Sequence, residues 1–409
     1  MKTFQFLAIF VAVCEWAPVT NCAEPTPSVG WRGDGTGRFP KANPPREWSQ
    51  VKNVIWKTPM PDRSFSSPIL VGDSLFVLSE PTDLLCLRAS DGKMLWKRSH
   101  TYLDVFGDEK GKKIEADLAK AKEIERQIKQ LKREHSQLRK SGGAKEQQEK
   151  LKEQMEILQR KVNALMVYPG VKRRGPLPGS RCVPTSDGKR VYSIFGNGVV
   201  SCHSLEGKRI WIRYLEAPSL GYGHAASSLL VAGKLIVHFN DMVALDAKTG
   251  TEQWRAALKP SYGSPVAAQV DKLSAIVSPA GAVVRATDGK VLAEKLYRLA
   301  EVSPIVQDNI IYVAERGRTQ AQAFRLTLIE NDRVRADQLW KGSVSNRRRF
   351  PSLVYHEGLL YGLSGNVLEV LDARNGQEVY RQRLPLNGQA YPSPTVAGDL
   401  IFVSSSRGG

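Results

Sequence analysis

The chain repeats itself at a fixed spacing, and that repetition limits its fold more than any local motif does. One unit opens on Ser or Pro and continues as two short apolar runs on either side of a turn. Its first copy reads Ser67-Pro68-Ile69-Leu70-Val71-Gly72-Asp73-Ser74-Leu75-Phe76-Val77. Further copies open at Pro184, Ser228, Pro265, Pro304, Ser352 and Pro394. From Pro184 to Pro394 there are five steps over 210 residues, a mean period of 42. A period of that length, filled with short strands and turn residues, predicts the four-stranded blades of a β-propeller.

A second unit completes the blade. An apolar strand leads to an acidic or amide residue beside Gly, then to a strand that often ends in Trp. Copies run from Leu87 through Asp91-Gly92 to Trp96, and from His203 through Glu206-Gly207 to Trp211. The cleanest is Leu245-Asp246-Ala247-Lys248-Thr249-Gly250-Thr251-Glu252-Gln253-Trp254. Weaker copies run from Arg285 through Asp288-Gly289 to Glu294, and from Leu371 through Asn375-Gly376 to Tyr380. Each part has a physical role: Gly takes the positive-φ position of a tight hairpin, the polar side chain bonds the turn backbone, and the aromatic covers the seam to the next blade.

This Leu-Asp-Ala-x-x-Gly-x-x-x-Trp pattern resembles the tryptophan-docking repeat of quinoprotein alcohol dehydrogenase propellers and their non-enzymatic relatives, the pyrroloquinoline-quinone-like repeat proteins. The latter include the outer-membrane-assembly lipoproteins. The resemblance extends from about Trp56 to Gly409, apart from one insert. It implies an all-β propeller, but the repeat residues are structural and carry no chemistry. A dehydrogenase of this type needs a base near the quinone, a calcium ion held by carboxylate and amide, and usually a vicinal disulfide over the cofactor. The chain has no adjacent Cys pair, and no Asp or Glu at a blade entrance fits the base or the metal ligand. Pyrroloquinoline quinone with calcium is therefore disfavoured and no cofactor is expected. Nor is there a Gly-x-Ser-x-Gly, a His-Glu-x-x-His or a phosphate loop. His100, His203, His224, His238 and His356 are scattered without metal-ligand spacing.

Between Trp96 and Cys182 the composition changes. Residues 112–165 hold no Pro and are rich in Lys, Glu, Gln, Leu and Ile. Ile124, Ile128, Leu131, His135 and Leu138 alternate four and three residues apart, as do Leu151, Met155, Leu158, Val162 and Leu165. Two such seams predict coiled-coil helices, and Ser141-Gly142-Gly143 between them predicts an antiparallel hairpin. A charged hairpin leaving a propeller loop is a candidate partner-binding arm, or else a tolerated insertion. Residues 108–167 are assigned to this insert, 24–107 to an N-terminal segment with the first blade, and 168–409 to the remaining blades.

The residues just before each Ser/Pro position should ring one mouth of the central channel. They are Phe65, Arg181, Tyr222 with His224, Tyr262, Glu301, Arg347 to Phe350 with Arg349 among them, and Tyr391. Such aromatic and cationic side chains can hold a carbohydrate or an anionic ligand; the alternative is that they seal the mouth and pair locally.

Lys2 followed by the apolar stretch from Phe4 to Val13 reads as a cleaved signal peptide ending near Ala23, and lipoprotein processing at Cys22 is the disfavoured rival. Three cysteines then remain, Cys86, Cys182 and Cys202, the first and last on buried strand patterns. No other segment is long and apolar enough for a transmembrane helix. The net charge of +18 suits an anionic partner or simple solubility, and export argues against nucleic acid.

At the ends, Val54-Ile55-Trp56-Lys57 reads as a last-blade strand standing alone, while the seventh blade lacks two strands. Either that strand patches a seven-bladed ring, or the chain lacks its end and the full protein has eight blades, the reading we favour. The function expected is a non-enzymatic exported scaffold for protein or glycan; the rival is a quinone-dependent or polysaccharide-acting enzyme with its site at the channel mouth.

Overall fold

This computed structural model describes residues 29–49, 51–168, 181–221, 223–314, 320–330, 333–344 and 351–406. Six four-stranded antiparallel meanders follow one another, over residues 69–99, 185–214, 229–256, 266–293, 305–343 and 354–383. A seventh sheet joins Thr395–Ala397 and Leu400–Phe402 to a strand from far upstream, Arg38–Phe39. The first strands of neighbouring blades lie against each other, so they line the channel. The second and third strands carry most of the buried apolar residues, and the fourth is the most exposed.

The seams between blades are made by indoles. Trp96, Trp211 and Trp254, each on the outer strand of its blade, donate Nε1–H to Leu205, Ala247 and Ala286 carbonyls of the next blade at 2.9, 3.1 and 3.0 Å. Trp340 does the same to Ala373 at 2.9 Å. Each ring lies on the glycine of the receiving turn, which has positive φ. A Cβ at Gly250 would stand 2.6 Å from the Trp211 ring, and one at Gly207 2.7 Å from the Trp96 ring. Burying most of an indole contributes on the order of 4 kcal/mol, against about 1 kcal/mol for its hydrogen bond. Packing thus holds the seam, and the N–H fixes which turn it meets.

A second belt runs round the channel. The backbone N–H of Val183 donates to Ser227 Oγ, Ser227 to Ser264, Ser264 to Ser303, Ser303 to Ser352 and Ser352 to Ser393, all at 2.8 to 3.0 Å. The Ser of the recurring blade entrance is therefore a link to the preceding blade. Its hydroxyl satisfies a backbone donor buried where two inner strands approach.

The N-terminal part departs from expectation in one respect. Residues 54–57 join no sheet; the strand added to the seventh blade is Arg38–Phe39, parallel to Thr395–Ala397, with Arg38 opposite Val396. Trp56 nevertheless takes the place of a docking indole, lying on Gly92 and donating to Ala89 O at 2.8 Å. Val54 and Ile55 supply the apolar look of a strand, but the segment is held by the indole and by Thr58 Oγ1, which donates to Gly92 O at 2.7 Å.

The insert is a helical hairpin. It comprises α1 (Tyr102–Phe106), α2 (Asp108–Lys140) and α3 (Lys145–Leu165), so helix begins six residues before the 108–167 bounds assigned to the insert. Ala121, Ile128 and Val162 are buried between α2 and α3 with Ile124, Met155, Leu158 and Leu165 around them. The base is not independent of the propeller. Tyr102 and Ile114 pack on Val199 of the second blade, beside Leu118, Tyr168, Ile212 and Tyr214. Tyr102 Oη donates to Asn197 O at 2.8 Å, and Arg209 pairs with Asp104 at 2.8 Å. Removing the whole insert would uncover this cluster, whereas shortening the arm beyond Leu118 would not.

Seam packing makes a direct test. Gly250→Ala should lower stability by about 2 kcal/mol or more, because a side chain there is strained and collides with the Trp211 indole. Trp254→Phe keeps most of the packing but removes the N–H, and should lower stability by about 1 kcal/mol. Chemical denaturation of the two variants checks both the sizes and their order.

Candidate functional site in the channel and at its mouth

The channel is filled by the chain itself. Residues 29–42 enter it as a glycine-rich hook. Val29 exchanges two backbone hydrogen bonds with Ser186 on the inner strand of the second blade, at 2.9 and 2.7 Å. Trp31 packs on two apolar clusters drawn from the first to the fifth blades. Arg32 then reaches the other side of the ring, donating from Nη1 to Leu353 O and from Nη2 to Pro394 O, both at 2.7 Å. Those carbonyls sit one residue past Ser352 and Ser393 of the hydroxyl belt. Desolvation lowers the Arg32 pKa to about 10, with Asp34 opposing that shift.

Backbone freedom makes the hook possible. Gly33, Gly35 and Gly37 all have positive φ, as does Arg32 itself. At Gly37 a Cβ would strike the Arg32 guanidinium, so this glycine leaves the space the cation occupies. Between the hook and the inner strands of the second to fourth blades, a cavity of about 30 Å³ remains, lined by Trp31, Thr185, Ser228 and Val266 among others. That is room for a water molecule and far less than a drug-sized pocket of ~300 Å³ or more.

The sequence-predicted mouth residues divide three ways. Phe65 and Tyr391 are exposed, at 54% and 49%. Arg181 and Tyr262 are half-buried and lie within electrostatic reach of one another; desolvation lowers the Arg181 pKa, while Tyr262 and Glu80 act against it. Glu301 is also half-buried. His224 is not a mouth residue available to a ligand. It is fully buried against Phe239, with ring centroids 4.5 Å apart, and its backbone carbonyl accepts from Arg181 N–H at 3.0 Å. Tyr222, Arg347, Arg349 and Phe350 lie outside the described residues, as do the signal peptide and Cys22.

The hook itself was missed by reasoning from the repeat, because it belongs to no blade. The available signal was Trp31-Arg32-Gly33-Asp34-Gly35-Thr36-Gly37, three alternating glycines beside an aromatic and a cation. Other buried polar groups are structural. His100 and His203 meet edge to face at 5.1 Å where the first two blades join, and His100 stacks on Phe195 at 4.7 Å. Cys86, Cys182 and Cys202 are buried free thiols, and burial pushes Cys182 and Cys202 up to about 12. Among the described residues, no group of three or more His, Cys, Asp or Glu could hold a metal ion.

Two outcomes follow from these contacts. Arg32→Ala leaves two buried carbonyls without donors and should lower stability by about 2 kcal/mol. It should also make residues 29–49 the first site of limited proteolysis. Burial, mainly, holds His100 near 4 and His203 and His224 near 3, below the ordinary 6.5. Their contribution is therefore complete above pH 6.5 and is lost as pH falls from there toward 4 and 3, because the unfolded chain takes up protons first. Denaturation between pH 7.5 and about 4.5 should show this fall, and His203→Phe should flatten it.

Comparison with known proteins agrees with this architecture. A family model described as outer membrane protein assembly factor BamB matches residues 172–293. The crystal structure of BamB from Moraxella catarrhalis superimposes with a TM-score of 0.56 at 14% identity, over 88% of this chain and 88% of that one. The quinohemoprotein alcohol dehydrogenase from Comamonas testosteroni aligns over 87% of this chain and 66% of its own, at 12% identity and a TM-score of 0.48. A europium-containing methanol dehydrogenase aligns over 84% and 75%, at 10% identity and 0.47. The last two scores carry no argument beyond a general likeness. No curated protein matches the sequence.

Proposed function

We propose that this chain, a β-propeller of the pyrroloquinoline-quinone-like repeat type, is a non-enzymatic scaffold of the cell envelope that binds protein partners. One observation carries the reading. The channel, where a propeller enzyme of this type would seat its cofactor and substrate, is occupied by residues 29–42 and tied across by Arg32. A scaffold needs a rigid frame and exposed surfaces, and both are present. The hydroxyl belt and the indole seams make the frame, and the arm carries exposed polar surface away from the disc. The likeness to BamB, whose description is an assembly factor of the outer membrane, supports an envelope setting. No helix among the described residues is long and apolar enough to cross a membrane. Export by the N-terminal signal remains part of this proposal. So does an absence of bound quinone.

Two measurements test it. Titration with pyrroloquinoline quinone and calcium should give no stoichiometric cofactor spectrum, and no alcohol oxidation with an artificial electron acceptor. A tight one-to-one complex would overturn the scaffold reading. Cross-linking in detergent-solubilised envelope should trap a discrete protein partner on the full-length chain. A chain that yields no specific partner and instead turns over a small substrate would have to be an enzyme.

A further inference from the structure

The hairpin has an uneven distribution of charge along its length. Residues 108–128 carry six acidic and six basic side chains, and residues 146–165 carry four of each. Residues 129–145, which include the turn, carry Lys129, Lys132, Arg133, Arg139, Lys140 and Lys145 against Glu134 alone. The whole net charge of the arm, +5, is therefore at its tip. The shaft pairs its charges: Lys112 with Asp108 at 3.0 Å, Arg126 with Glu123 at 2.5 Å, Lys150 with Glu146 at 2.9 Å and Lys152 with Glu149 at 2.6 Å. The six tip cations are exposed and form no ion pair among the described residues.

Geometry adds a second observation. The arm is fixed at its base by the cluster of Tyr102, Ile114, Leu118, Tyr168 and Tyr214, and by the Arg209–Asp104 ion pair. Beyond Leu118, among the described residues, its buried side chains pack on one another. From Leu118 to Lys140 the helix rises about 33 Å, so the tip stands well clear of that anchor. Two basic residues in the last turn of α2 would suffice to complement its dipole. Six on both sides of the turn exceed that need.

We infer that the tip of the arm is an electrostatic docking surface for an anionic lipid bilayer. A plane meets the end of a rod, and here only the outer stretch, residues 129–145, carries net charge. A protein groove gripping the hairpin would instead meet its flanks, where the charges cancel. The tip has no exposed large apolar side chain, so it adsorbs to headgroup phosphates without entering the hydrocarbon. The inference does not depend on which protein the propeller holds, and lipid alone can test it.

The experiment is co-sedimentation of the full-length chain with vesicles of phosphatidylglycerol and phosphatidylcholine in equal parts, against vesicles of phosphatidylcholine alone. Binding is expected to the first only, and to weaken as salt rises. Near an anionic surface each Lys or Arg changes the partition coefficient by about five-fold. The triple variant K132Q/R133Q/K140Q should thus bind roughly a hundred-fold more weakly. K113Q/K120Q/K122Q removes the same charge from the exposed base of α2 and should stay within about two-fold of the parent. All six sites are exposed, and helix content by circular dichroism checks that both variants fold. Equal losses in the two triples would show that only the overall charge acts, and would overturn the inference. Retention on polyglutamate that the tip triple abolishes, without binding to the anionic vesicles, would also overturn it and point to an acidic protein.

Discussion

Everything in this propeller depends on one contact repeated around the ring: an indole from one blade lying on a glycine of the next. The contact is economical of sequence, since it needs only Trp at the end of an outer strand and a positive-φ Gly in the following turn. Its burial outweighs its hydrogen bond several-fold, so a seam can survive replacement of the indole if another ring covers the same area. The seam between the fourth and fifth blades illustrates this. The outer strand there, Val291–Ala293, is short and carries no Trp. Tyr297 follows it, fully buried, 5.9 Å from the Phe324 ring of the fifth blade, with its hydroxyl donating to Ser278 O. The aromatic has moved past the strand end, and the seam is still closed.

The inner belt of hydroxyls and the hook solve a different problem. Inner strands converge on the channel, where backbone groups from several blades lose water. Ser at the entrances of the third to seventh blades takes up the donor of the blade before it, and Arg32 takes up carbonyls that the belt leaves over. A guanidinium suits this place because it presents several donors in a plane and spans two blades at once. The same arrangement supports the scaffold proposed above. Backbone and a buried cation cross the channel as a structural axle, which leaves the rims and the arm as the surfaces proposed for recognition.

The sequence disclosed the repeat but not what lies between repeats. The period of 42 residues, Gly250 and Trp254 could all be read directly, because turn chemistry and seam packing act over a few residues. The hairpin seam was legible for the same reason: Ile128 and Val162, picked out by spacing, are buried, though Ala121, buried with them, was not picked out. Long-range pairings were not. Arg38–Phe39 joins a strand more than 350 residues away, and nothing in two residues announces that. His224 looked like a mouth residue from its offset, yet it is buried against Phe239, just past the second strand of the third blade, a contact that its offset does not show. Trp340 escaped notice because the fifth blade's outer hairpin, Gln320–Ile329 with Arg333–Ser343, is about twice the usual strand length and breaks the spacing.

The arm's own stability bears on how it could act at a distance. Exposed pairs such as Lys112–Asp108 contribute only tenths of a kcal/mol each, so the hairpin is held chiefly by its narrow apolar seam. That seam is densest near Ala121, Ile128 and Val162 and thins toward the turn, where Leu131, His135 and Leu138 are only partly covered. Local unfolding should therefore begin at the tip and stop at the base cluster. Six like charges crowded at the same end add repulsion that favours fraying further. A polyanionic surface removes that repulsion. Docking and ordering of the tip would then be coupled, while the base cluster around Ile114 and Tyr102 stays packed on the second blade.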